Sequence, residues 1–333
     1  MKDVIGAVRR RKRRTWLIYS LLFLVVVVGG YVITRNMINR PWSARSNVGG
    51  AVIGNSIYIT GGQSESTGRL LDEVLELNVD RSTMSFVAHL PYPCYLPATA
   101  SDSNSLYVAG GYDGQSYRSE VLRVTPSSGD VQIAGHLPTP RTYGCAVVLC
   151  NTLYYAGGWD GDHLLDEIVA VNLATGDTSI AAHLSSPREF VSATVLEGRA
   201  YFIGGEESMT SFSDEIAEFD PTLGEISRIG HLPSGRYLTS TVPWKDGLLV
   251  LTGQNDHYLD DLVTVDVTGD EIRSELTGHI PGLSWHYTVQ TTRDRLFIIG
   301  GASSTSKRTL RFVEYVPETG DMIPFDLRGH AWK

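Results

Sequence analysis

The chain has 333 residues and a formal net charge of −9, from 28 Lys and Arg against 37 Asp and Glu. The charge is unevenly placed: residues 1–35 carry eight basic residues and one acidic residue, and the remainder carries 20 basic against 36 acidic. So acidic a body repels phosphate backbones and excludes nucleic acid as a partner, while three cysteines with no Cys/His cluster supply neither a disulfide framework nor a zinc site.

The first predicted element is a membrane span. Residues 1–14 form a basic tail ending in six adjacent cations, Arg9-Arg10-Arg11-Lys12-Arg13-Arg14. Trp16–Ile33 then runs for eighteen residues without a charge. As a helix it is roughly 27 Å long, close to the thickness of a hydrocarbon core. Trp16, Tyr19 and Tyr31 stand near its ends, where aromatic rings favour the headgroup region. The span is assigned to residues 15–34, followed by a linker over 35–44. Six cations before the span against Arg35, Arg40 and Arg45 after it place the N-terminus in the cytoplasm and the rest outside. The apolar run continues past Val28-Gly29-Gly30, which favours a signal-anchor over a cleaved signal peptide.

After residue 47 the chain repeats. Apolar runs end in a glycine pair at Gly61-Gly62, Gly110-Gly111, Gly157-Gly158, Gly204-Gly205 and Gly300-Gly301, with a degraded copy at Gly253-Gln254. The steps between second positions are 49, 47, 47, 49 and 47 residues. A second marker keeps the same phase: His89-Leu90-Pro91, His136-Leu137-Pro138, His183-Leu184-Ser185, His231-Leu232-Pro233 and His279-Ile280-Pro281. Each period holds four strand-like stretches, in the third repeat 144–149, 152–156, 167–172 and 177–181. Turn chemistry recurs between the last two, as in Pro126-Ser127-Ser128-Gly129 and Pro221-Thr222-Leu223-Gly224. A four-stranded meander cannot bury both of its faces alone, but six packed radially around an axis can. The expected fold is therefore all-β, a six-bladed propeller over 45–333 preceded by one transmembrane α-helix. No strand is left over for a closing blade built from both termini, so ring closure should rest on side-chain packing.

The glycine pairs, their extensions Tyr112-Asp113-Gly114 and Trp159-Asp160-Gly161, Phe219-Asp220-Pro221 and the Leu137–Arg141 lead-in resemble the Kelch family. The tryptophan usual after the third strand is replaced by Phe86, Ile133 and Ile180, which implies blade cores less aromatic than typical. The resemblance implies a ligand face where the loop before the first strand meets the loop after the second. Bacterial members include acidic-sugar mutarotases and epimerases, and the lack of any Asn-x-Ser/Thr acceptor accords with a bacterial origin.

Register places Arg45, Cys94, Arg141, Arg188 and Ser284 at one position of successive lead-in loops, with Arg236 shifted by one. Aromatic residues follow, among them Tyr143, Tyr237 and Trp285, with His286 beside the last. The other loops supply Trp159, Glu206, Glu207 and His257. Arginine forks and aromatic faces suit a carboxylate, a sugar or a peptide. Equally, each arginine can bond a carboxylate at the start of a third strand, such as Glu73, Glu167, Glu215 or Asp261. The repeated histidines end outer strands of separate blades, so hydrogen bonding within each blade is expected and no metal site. No nucleotide, zinc or nucleophile motif is present, and no cofactor is expected. Two functions remain. The first is an extracytoplasmic, membrane-anchored module binding a protein or carbohydrate. The alternative is an acidic-sugar mutarotase, whose resemblance requires a glutamate followed six residues later by arginine. Phe212 stands at that distance from Glu206.

Overall fold

In the third repeat, short apolar runs fold back at turns their residues favour. Strands Cys145–Leu149 and Thr152–Ala156 are joined by Cys150-Asn151, both left-handed with φ of 48° and 60°, the backbone of a tight hairpin turn. Glu167–Asn172 and Thr178–His183 complete an antiparallel sheet in chain order. The computed structural model describes residues 45–280, 285–292, 295–302 and 312–324. The expected span Trp16–Ile33, its basic tail and the linker lie outside these residues. Among the described residues no helix is long and apolar enough to cross a membrane.

Six such four-stranded sheets are present among the described residues, each running through its strands in sequence order. The first strands are Gly49–Ile53, Ala98–Ser101, Cys145–Leu149, Ser192–Leu196, Ser240–Trp244 and Trp285–Thr292. They pack side by side around the axis, and the ring closes where Gly49–Ile53 meets Trp285–Thr292. Among the described residues the sheets at this junction share no strand, and the two first strands meet by packing. The core lies between blades. Tyr107 and Val121 of the second blade bury against Leu153, Tyr155 and Val171 of the third, and similar clusters join the third blade to the fourth and the fourth to the fifth.

One expectation is corrected. Phe86, Ile133 and Ile180 do not stand in for a core tryptophan: they lie exposed on the outermost strands, Ile133 at 60 %. The inter-blade cores draw instead on inner-strand residues such as Tyr155, Phe202 and Phe219.

Candidate functional site

Each lead-in loop is clasped by the blade before it and grips the blade after it. The Arg188 carbonyl accepts the Gly158 N–H at 2.9 Å, and the Arg188 N–H donates to the Leu165 carbonyl at 3.0 Å, both in the third blade. The Arg188 guanidinium extends into the fourth blade, donating to the Ser213 hydroxyl at 2.9 Å and to the Glu215 carboxylate. Arg141 repeats this with Gly111 behind and Glu167 ahead, its Nη2 at 2.7 Å from Oε2. Arg236 does so with Gly205 behind and Asp261 ahead, in a fork with contacts of 2.5 and 2.9 Å. The glycines are needed for the clasp: Gly157 has a φ of +65°, and a Cβ there would lie 2.5 Å from the Arg188 carbonyl oxygen.

These contacts commit the arginines, expected as candidates for the ligand face, to carboxylates of the blade ahead. Arg141, Arg188 and Arg236 are 0 % exposed and Arg45, beside Glu73, is 2 % exposed, so none of these four guanidinium forks faces solvent. The ring is a set of buried ion pairs. The second blade has Cys94 in the arginine position, with its Sγ 3.4 Å from the Gly110 carbonyl oxygen. There Arg118 takes over from a different loop, bonding Glu120 at 3.0 Å and lying 4.0 Å over the Tyr92 ring. Four of the five repeated histidines are likewise structural: His183, His231 and His279 each place Nδ1 3.0–3.1 Å from an aspartate at the start of their blade's third strand, and His89 sits 3.3 Å from Asp72.

What the mouth of the channel does expose is aromatic and acidic. Two residues beyond the arginine position stand Asn47, Leu96, Tyr143, Phe190 and Leu238, all left-handed with φ of 49–62°, a region bulky side chains rarely adopt. They hold one another. The Leu96 N–H donates to the Asn47 carbonyl at 3.1 Å and the Phe190 N–H to the Tyr143 carbonyl at 2.6 Å. Between them the Thr142 hydroxyl donates to the Leu96 carbonyl at 3.2 Å. Such backbone persists only where its surroundings over-determine it. Here it turns side chains over a cavity of about 130 Å³ at the channel axis. Tyr143 stacks on Phe190 with centroids 4.7 Å apart, Phe190 meets Tyr237 at 5.8 Å, and Tyr237 stacks on Phe212 at 5.3 Å. All four rings are half-buried.

Beside this run lie Glu189 and Glu206. Their backbones exchange hydrogen bonds at 3.0 and 2.8 Å, which sets them directly opposite with side chains on one face. Burial and then the Glu206 charge push the Glu189 carboxyl up to about 7, and burial raises Glu206 as well. Glu207 differs: Ser186 and Ser211 donate to it at 2.5 and 2.8 Å, and the Ser186 bond leads in holding it below the usual carboxylate range.

Of the residues expected from sequence, the mouth brings together Tyr143, Tyr237 and Glu206. Trp159 sits half-buried in the loop of the third blade, its backbone paired with Thr142. His257 is exposed at a turn tip, its N–H on the Asn255 side chain at 3.0 Å. Trp285 and His286 open the sixth blade's first strand, with Trp285 opposite Ala302, and their side chains lie outside the described residues. Sequence reasoning passed over Glu189 as a site residue, although its place between Arg188 and Phe190 put it in the lead-in register. Residues 47–250, more than half of the chain, match the family model described as the KLHDC2/KLHL20/DRC7 Kelch-repeats domain. No curated protein matches the chain.

Proposed function

The chain belongs to the Kelch-repeat family, and from that premise we propose that it is a protein-binding propeller whose ligand sits over the channel mouth. Kelch propellers are commonly protein-interaction modules. The observation that carries the reading is the run Tyr143–Phe190–Tyr237–Phe212, partly exposed aromatic surface whose first two rings stand on constrained backbone. Rigid aromatic anchors supply contact area at low entropic cost and dominate protein interfaces. We further propose that Trp16–Ile33 anchors the propeller at the outer face of a membrane, on the strength of its uncharged length and the preceding six cations. The acidic-sugar mutarotase reading loses its support, since Arg188 and Arg236, which would hold the sugar carboxylate, are sealed in ion pairs.

Peptides selected from a random display library against the full-length chain in detergent test the face, with affinity read by fluorescence anisotropy. Phe190→Ala should weaken them at least about tenfold, an effect of hot-spot size. Leu223→Ala, at an exposed turn on the opposite end of its blade, should leave binding unchanged. Equal binding by wild type and Phe190→Ala contradicts the reading. For the anchor, a reporter fused after Lys333 should be active only outside the cytoplasm.

A further inference from the structure

Resting on the channel-mouth reading above, we propose that the aromatic pocket receives a basic side chain, the guanidinium or ammonium of an Arg or Lys presented by a protein partner. The walls come first. Tyr143, Phe190, Tyr237 and Phe212 form a continuous ring-to-ring series, and aromatic faces carry the negative side of a quadrupole that attracts organic cations. The sign of the pocket comes from Glu189 and Glu206. Directly opposed on one face, like charges repel, and among the described residues neither carboxylate meets a cation or a hydrogen-bond donor side chain. Other half-buried or buried carboxylates nearby are all served. Glu207 has two serines, Glu215 has Arg188, Glu218 has Arg228 and Tyr201, and Asp261 has Arg236.

Among the described residues, the cations of the adjoining lead-in loops are already taken. Arg188 and Arg236, the guanidiniums of the adjoining lead-in loops, are committed to Glu215 and Asp261 and fully buried. A bound guanidinium would lie on the rings with its edge toward the carboxylates, relieving their repulsion in a site that excludes part of the solvent. The aromatic walls favour an organic cation over a metal ion, and no group of three metal-ligating side chains occurs among the described residues.

The consequence is proton-linked. The groups facing Glu189 are Glu206 from its own blade, Tyr143 from the third and Tyr237 from the fifth. Both tyrosines are raised, primarily by burial, so Glu189 is the member of this group that titrates near neutral pH. Protonating Glu189 as pH falls through about 7 removes the charge that draws the ligand.

The probes are acetyl-Gly-Arg-Gly-amide, its neutral citrulline isostere and its glutamate counterpart, titrated against the full-length chain in detergent at pH 8 by ligand-observed NMR. The arginine peptide should bind at least about tenfold more tightly than the citrulline peptide, the glutamate peptide least, and the arginine advantage should shrink at pH 6. In Glu189→Gln/Glu206→Gln, whose thermal unfolding confirms folding, arginine and citrulline peptides should bind alike. Equal affinities in wild type, or discrimination kept by the double variant, overturn the cation proposal. If the peptides bind equally but all weaken in Phe190→Ala, the mouth reading stands without it. If Phe190→Ala binds each probe as wild type does, or none binds, both fail.

Discussion

Glu189 and Glu206 hold each other by both backbone hydrogen bonds, N–H to carbonyl at 3.0 and 2.8 Å. The same pairing that fixes the loop therefore forces two carboxylates side by side. An acid whose folded pKa lies above its unfolded value weakens the fold when ionised. Stability should then rise as pH falls through about 7 toward the ordinary carboxylate range. Glu189→Gln removes the penalty, so the variant should melt above wild type at pH 8 and level with it near pH 4.5. Each kcal/mol recovered moves the midpoint by about 2–4 °C. Melting curves of both proteins across this range check it, and a variant that gains nothing at pH 8 contradicts the assignment.

The arginine ring should behave as structure. Arg188→Met strands the buried Glu215 carboxylate and should cost about 3–5 kcal/mol. Arg188→Met/Glu215→Met leaves no uncompensated charge and should recover most of that loss. Arg118, only partly buried beside Glu120, should cost about 1 kcal/mol as alanine. Urea unfolding midpoints give all three, and an Arg188→Met midpoint close to wild type would show that the pair contributes little.

Thiol chemistry separates the cysteines. Cys94 and Cys145 are buried, and burial pushes both thiols up to about 12, so neither presents a thiolate near neutral pH. Cys150 lies exposed in the turn of the third blade. Maleimide at pH 7 should modify one thiol per native chain, mapped to Cys150, and three in denaturant. Native labelling of Cys94 would mean that the lead-in loop of the second blade opens.

The blades were legible because their signals are local and repeated: a glycine pair every 47–49 residues, and a turn with proline or glycine in fixed phase. Strand bounds in the third repeat fall within two residues of expectation, since apolar runs and turn residues agree there. Both halves of each ion pair were also visible, Arg188 and Glu215 among them. Their mutual burial was not, because it depends on how far one blade's loop reaches into the next. Arg118 serving Glu120 in place of the residue at Cys94 was hidden for the same reason: the substitute comes from a different loop. Glu189 went unread because a register scan for arginines and aromatics passes over the residue between them. Its significance appears only when the backbone pairing with Glu206 is known. The left-handed ring at Asn47, Leu96, Tyr143, Phe190 and Leu238 carries no glycine to announce it, and only Asn47 is of a type that favours φ > 0.

On the proposed reading, a ligand binds at the aromatic and acidic mouth while the lead-in arginines lie buried beneath it. Hydroxyl-radical footprinting of the full-length chain, with and without a selected peptide, tests it directly. The expected result is protection of Tyr143, Phe190 and Tyr237 on binding, with the exposed outer-strand residues Ile133 and Ile180 unchanged. Protection of Ile133 and Ile180 with the mouth residues still reactive would place the ligand on the outer rim and contradict the account.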